Sequence, residues 1–217
     1  GGFTAKCRGT VKTAVEPKLE SGIYQIGTPE ELVWFAKKVN GGENALSAVL
    51  TSDIDLSEIN WTPIGGNTVK FGGTFDGAGH VIRNLSVDYA TKASGERVYL
   101  GLFGCVEGTK DAHAVIKNFT VSGSVTAKSD YSVYGGNIAG VVADGKYLDL
   151  SGVVSRVAVN ADENTGKACG VGGFAGVMVD CTVTDCGNEG NVSGVKNIGG
   201  FCYELYAGTM TGCYNTG

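Results

Sequence analysis

The sequence predicts an all-β fold of stacked coils, a parallel β-solenoid closed at its N-terminal end by one α-helix. Two phrases repeated down the chain and a large excess of glycine carry that expectation. The first phrase is apolar-Asn-apolar, as Val81-Ile82-Arg83-Asn84-Leu85-Ser86-Val87 and again as Val115-Ile116-Lys117-Asn118-Phe119-Thr120-Val121. Looser copies are Val154-Ser155-Arg156-Val157-Ala158-Val159, Val183-Thr184-Asp185-Cys186 and Met210-Thr211-Gly212-Cys213. The second phrase runs Gly101-Leu102-Phe103-Gly104, Gly136-Asn137-Ile138-Ala139-Gly140, Gly172-Gly173-Phe174-Ala175-Gly176 and Gly199-Gly200-Phe201-Cys202. With Ile82, Ile116, Val154, Val183 and Met210 taken as equivalent, the steps are 34, 38, 29 and 27 residues. With Gly101, Gly136, Gly172 and Gly199 they are 35, 36 and 27. Anchors advancing together at such periods mark a repeat protein, in which each unit buries its apolar face only against its neighbours.

Residues 1–21 read as a linker or the tail of a preceding segment, and 22–217 as one domain. Within it, 22–43 hold the capping helix and 44–217 the coils. Thr28-Pro29-Glu30-Glu31 is a capping box, with Thr at the N-cap, Pro at the first helical position and Glu at the third. Leu32, Phe35, Ala36 and Val39 follow at i, i+3, i+4 and i+7, and Asn40-Gly41-Gly42 ends the helix. An open solenoid end exposes unpaired backbone and apolar core, so this helix is expected to lie across the first coil as its cap. In Leu50-Thr51-Ser52-Asp53-Ile54-Asp55-Leu56 the apolar residues share parity, which turns Asp53 and Asp55 outward on one face. Two such carboxylates could bind Ca²⁺ or flank a glycosidic bond. Solvated strand charges and turn formers are the simpler reading.

Beyond residue 40 no helical period survives, and short β-branched runs separated by turn residues read as strands. One strand set per repeat makes one coil, with equivalent strands in parallel about 4.8 Å apart. A propeller would need four antiparallel strands per blade, joined by hairpin signals that are scarce here. Ile82, Phe103, Ile116, Phe119, Ile138, Val154, Phe174, Val183 and Phe201 are assigned to the interior, since a one-residue slip would expose every repeated apolar position. Glycine makes up 36 of 217 residues against 3 prolines, a composition of tight corners rather than of a disordered linker. Gly170-Val171-Gly172-Gly173-Phe174-Ala175-Gly176 superficially matches a dinucleotide loop, but nothing helical follows it.

A net charge of -5 without a basic block argues against nucleic acid and anionic membranes as partners, and no apolar run is long enough to insert in a bilayer. Cys186 and Cys213 take the repeat position held elsewhere by Phe119 and Val157, and Cys105 and Cys202 fall near equivalent positions. The seven cysteines therefore read as small buried hydrophobes rather than as a disulfide framework or metal set. His80 and His113 lie in turn regions of different coils. No cofactor or metal is expected. Asn60, Asn84, Asn118 and Asn191 each begin a glycosylation sequon. Asn84 and Asn118 recur because the repeat recurs, as turn residues tolerant of left-handed backbone.

The order YQIGTPEELVWFAKKVN, LTSDIDL, WTPIG, FGGTFDGAGHVIRNLSV, GLFG, IKNFTVSGSV and GGFAG resembles that of GLUG-repeat proteins across residues 22–217. These are bacterial surface proteins of adhesin type, and the same repeats accompany some IgA-cleaving peptidases as a non-catalytic region. The resemblance implies a right-handed β-helix, export to the bacterial cell surface, and a binding or spacer role with no catalytic residues to carry over. The chain departs from the pattern at Tyr203-Glu204-Leu205-Tyr206, where the family prefers Gly and small residues. Tyr203, Glu204 and Tyr206 are accordingly the candidate ligand-binding residues.

Two functions follow. One is a non-catalytic, adhesin-like surface module that binds a host glycan or extracellular protein or acts as an extended spacer. The other is a polysaccharide lyase or glycosidase on the same fold, which would need acids and bases clustered on adjacent coils. Outward positions are mostly Ser, Thr, Asn and Gly, with Lys117 and Arg156 the recurring bases, which favours the module. The chain stops one strand into a repeat without a second cap, so further segments are expected after Gly217, together with weak end-to-end association.

Overall fold

The computed structural model describes residues 13–91, 97–129, 136–164 and 169–217. They form an all-β chain with one helix. Strands β1 (Lys18–Glu20) and β2 (Ile23–Ile26) precede helix α1 (Pro29–Asn40). The next four are β3 (Ser47–Leu50), β4 (Ile54–Asp55), β5 (Thr74–Asp76) and β6 (Val81–Thr91). One repeat then supplies β7 (Tyr99–Leu100), β8 (Phe103–Glu107) and β9 (Ala114–Ser129), and the next β10 (Gly136–Ala139), β11 (Val142–Lys146) and β12 (Leu148–Asn164). The following repeat divides its long strand, as β13 (Cys169–Gly172), β14 (Ala175–Val179), β15 (Thr182–Thr184), β16 (Gly187–Asn188) and β17 (Val192–Gly194). The last supplies β18 (Ile198–Gly199), β19 (Cys202–Tyr206), β20 (Thr209–Thr211) and β21 (Tyr214–Asn215).

Equivalent strands of successive repeats pair side by side in three sheets. Two have four strands, in the orders β18-β13-β10-β7 and β19-β14-β11-β8. The third runs β1-β2-β3-β5-β9-β12-β15-β20, with β4, β6, β16, β17 and β21 alongside. Every ladder among the described strands is parallel except β1 with β2. Lys18–Glu20 lies in the segment read as a linker, yet it pairs antiparallel with β2 and extends the sheet.

Register makes columns of like-placed residues. Phe75, Ile116, Leu150, Val183 and Met210 form one. Leu100, Ile138, Val171 and Ile198 form another. Two corners are columns of left-handed backbone. Asn118 (φ 59°), Gly152 (φ 61°), Asp185 (φ 52°) and Gly212 (φ 66°) stack at one, and Tyr147 (φ 48°), Asp180 (φ 52°) and Ala207 (φ 50°) at the other. A glycine at 152 or 212 meets this demand without a Cβ penalty, and Asn is among the side chains that tolerate it.

The register corrects several equivalences read from the sequence. Val153, not Val154, faces the core, because the left-handed turn at Gly152 resets the in-out alternation; Val154 is half-buried. Gly172 matches Ala139 rather than Gly136, a slip of three residues across look-alike Gly-Ala phrases. Ile82 pairs with Val121, and Phe75 takes the place beside Ile116. Cys186 and Cys213 share their column with Phe119 and Val153, not Val157. Of the nine residues assigned to the interior, Ile82, Phe103, Ile116, Phe119, Ile138, Phe174 and Val183 are buried. Phe201 is half-buried because no further repeat covers it.

Helix α1 has the expected start. Glu31 N donates to Thr28 Oγ1 at 3.3 Å, and Thr28 N donates to Glu31 Oε2 at 3.0 Å. Gly41 at the C-cap keeps right-handed backbone (φ -80°), and the turn into positive φ falls at Gly42 (φ 118°). Leu32, Phe35, Ala36 and Val39 are buried. Phe35 packs edge-on to Phe71 (6.0 Å between ring centres) and against Phe75 (6.2 Å), and both of those reach Phe103. Among the described residues no helix is long and apolar enough to cross a membrane.

Candidate functional site

The carboxylates read as possible calcium or catalytic groups are engaged in holding strands together. Asp53 and Asp55 do point outward, flanking the buried Ile54. Asp53 accepts from Val81 N (3.0 Å) and Arg83 Nη2 (2.9 Å) and lies 3.3 Å from His80 Nδ1. The Val81 amide does most to hold its carboxyl below the usual range, with His80 and Arg83 adding to it. Asp55 accepts from Asn84 Nδ2 (2.9 Å) and Ser57 N (2.8 Å), and these bonds lower it too. For Asp76, burial pushes upward, and bonds from the Ala78 amide, Asn118 and Lys117 outweigh it. Each is an Asx-turn or inter-strand anchor. Asn84 (φ 58°) and Asn118 are the left-handed residues expected of them. Among the described residues no three His, Cys, Asp or Glu side chains converge as a metal set.

The buried thiols behave as apolar fillers. Burial pushes Cys105 and Cys186 up to about 12 and Cys181 up to about 11. Cys105, Cys181, Cys186, Cys202 and Cys213 are unbridged. Cys7 and the side chain of Cys169 lie outside the described set. His113 Nδ1 sits 2.9 Å from Asp149 Oδ1.

The departure noted at residues 203–206 is the distinctive feature of the outer surface. Tyr203 stands in register with Gly104, Ala143 and Gly176, and Glu204 with Cys105, Asp144 and Val177. Three repeats keep this corner small, and the last places a tyrosine there. Tyr203 is 39% exposed and Tyr206 66%, while Leu205 is half-buried between them. The strand departs from strict alternation here, with Tyr203 and Glu204 both exposed. A Cβ on Gly170 would lie 2.2 Å from Tyr203 Cδ1, so the ring rests on that glycine.

Two further side chains share this surface and carried no signal in sequence. Asn137 is buried to 9% exposure beside Tyr99 and Gly170, and its Oδ1 accepts from Gly170 N at 3.1 Å. Asp144 is half-buried, and burial raises its carboxyl above the usual range, with nearby Lys70 opposing. Only the Gly-Asn-Ile-Ala-Gly phrase, which departs from Gly-Gly-Phe-Ala-Gly at its Asn, could have pointed to position 137.

The last repeat also ends all three sheets. Val195, Ile198, Tyr203, Tyr206, Met210 and Tyr214 are its exposed large apolar side chains. No family model matches the chain, and no curated protein or solved structure matches it.

Proposed function

We propose that the chain is a right-handed parallel β-helix module of an exported bacterial surface protein, adhesin-like and non-catalytic, that binds a host glycan or extracellular protein ligand or extends the protein that carries it. Three parallel sheets with one strand per repeat are what such a winding requires, and the GLUG-like motif order supports the surface setting. The observation that carries the binding role is Tyr203, the first residue of Tyr203-Glu204-Leu205-Tyr206, set into a column otherwise held by Gly104, Ala143 and Gly176. Repeat proteins bind through surfaces built up across neighbouring repeats, and an aromatic set into a small-residue column makes such a surface specific.

The enzyme reading, a polysaccharide lyase or glycosidase, asks for acids free to exchange protons. Asp53, Asp55 and Asp76 instead spend their lone pairs on backbone amides, Asn84, Asn118, Arg83 and Lys117. Depolymerisation of a polysaccharide that is abolished by Asp53→Asn, Asp55→Asn or Asp76→Asn would overturn the non-catalytic reading.

A glycan array probed with the purified chain tests the binding role, with a panel of extracellular matrix proteins beside it. Capture of one glycan class or one protein, lost on Tyr203→Gly, supports it. Silence across both panels leaves the spacer. The open edges of β18, β19 and β20 add an expectation of weak end-to-end association between copies.

A further inference from the structure

The corner where β7, β10 and β13 meet β8, β11 and β14 is lined by small residues, with polar and aromatic groups set at intervals along it. Asn137 sits on its floor: a Cβ built on Gly176 of the next repeat would fall 2.6 Å from Asn137 Cβ, so only glycine leaves room for the asparagine there. The Oδ1 of Asn137 accepts from Gly170 N, which leaves its Nδ2 as the group it presents to the corner; no side-chain N or O among the described residues is both buried and unpartnered. A side-chain amide whose oxygen is fixed in this way has its nitrogen set as a donor, for water or for an acceptor brought from outside. Tyr99 flanks it one strand below, and Tyr203 covers Gly170 one strand above. The two tyrosines are thus separated by two to three strand spacings, about 10–14 Å. Asp144 lies in the same repeat as Asn137, close enough to Tyr99 to act on its hydroxyl electrostatically.

We infer that this groove is a binding site for a short neutral oligosaccharide, with sugar rings packed against Tyr203 and Tyr99, a hydroxyl accepting from Asn137 Nδ2 and another donating to Asp144. A sugar ring presents C–H bonds on its faces, which pack on the electron-rich face of a tyrosine, and hydroxyls on its edges that both donate and accept. A peptide would need main-chain partners in register, and this surface is a corner between sheets rather than a free strand edge. The inference rests on the binding role proposed above and names its site and ligand class.

Nitrogen-15 NMR of the whole chain gives the test, with maltotriose, cellotriose, xylotriose and chitotriose titrated separately to 10 mM. At least one trisaccharide is expected to shift the Asn137 side-chain amide pair in a saturable way. Tyr203→Gly, which restores the residue found at 176, and Asn137→Ala should each weaken that binding at least tenfold. Lys37→Ala, on the exposed face of α1, should leave it unchanged. If none of the four moves the Asn137 amide, or if Tyr203→Gly binds as tightly as the parent chain, the site is wrong. A positive glycan array with an unmoved Asn137 amide would reject this groove while leaving the binding role standing.

Discussion

At the α1 end of the molecule Phe35, Phe71, Phe75 and Phe103 are fully buried, each in edge or tilted contact with the next. At the β18–β21 end Phe201 stacks flat on Phe174, with ring centres 4.7 Å apart, yet stays half-buried, and Met210 and Tyr214 are exposed. Residue type changes down the registered columns, from Phe75 to Met210 and from Phe103 to Cys202, and so does the covering layer. Phe75 has Phe119 on one side and the helix's Phe35 on the other, whereas among the described residues Phe201 has a ring partner, Phe174, on one side alone. A core column also turns polar toward the open end, from Ile82 and Val121 to Ser155, Asn188 and Asn215. Asn188 Nδ2 donates to Asn215 Oδ1 at 2.8 Å, so the last layers are joined by amide bonds where the first are joined by rings. In a stacked fold, burial is supplied by neighbours, and stability should fall off toward the uncovered end.

The comparison breaks most visibly with large-to-small changes. Phe75→Ala should cost about 3–5 kcal/mol by chemical denaturation, because the cavity lies between two packed layers. Phe201→Ala should cost well under half of that, since its outer face is already open to solvent. Equal losses would mean that the end is covered in solution. Backbone strain sharpens the picture, because it does not depend on burial. Gly152→Val forces a β-branched residue into the left-handed corner and should cost about 1–3 kcal/mol. Thr28→Ala removes the N-cap oxygen of α1 and should cost about 1 kcal/mol, with Thr28→Ser close to neutral.

The smallest effects are on pH dependence. Asp53, Asp55, Glu107 and Glu189 are held below the ordinary carboxylate range, so near pH ~4 the unfolded chain binds more protons than the folded one. Their contribution is present above that pH and is lost as pH falls through the lowered values. Asp144, raised by burial, opposes them weakly. Cys105 and Cys186 act in the opposite sense. Their thiols stay neutral up to about 12 in the fold, so that stability is present below 9.0 and is lost as pH rises toward 12. Thermal midpoints should therefore decline on both flanks, and a midpoint still rising between pH 9 and 11 would contradict the burial of the thiols.

Much of this was legible in sequence where one residue decides the local outcome. Thr28 and Glu31 cap the helix, Asn84 and Asn118 turn left-handed, and Asp53 and Asp55 face outward because Ile54 must face in. The tyrosine at 203 was visible as an intruder among small residues. Register was not legible, because the Gly-Ala phrases resemble one another when displaced by three residues, and only pairing tells Ala139 from Gly136 as the partner of Gly172. Strand parity also fails wherever a left-handed corner such as Gly152 interrupts a run that reads as continuous. The groove was invisible for a related reason. Tyr99, Asn137, Asp144 and Tyr203 come from four separate strands, and no spacing in the sequence sets them side by side.

Amide hydrogen exchange of the native chain, at low micromolar concentration to keep copies apart, tests the stacked and unequally covered architecture most directly. Protection should be greatest in β9 and β12, which have paired neighbours on both sides, high in the buried face of α1, and least in β18–β21. Protection of residues 198–215 equal to that of β12, or fastest exchange in β9, would contradict it.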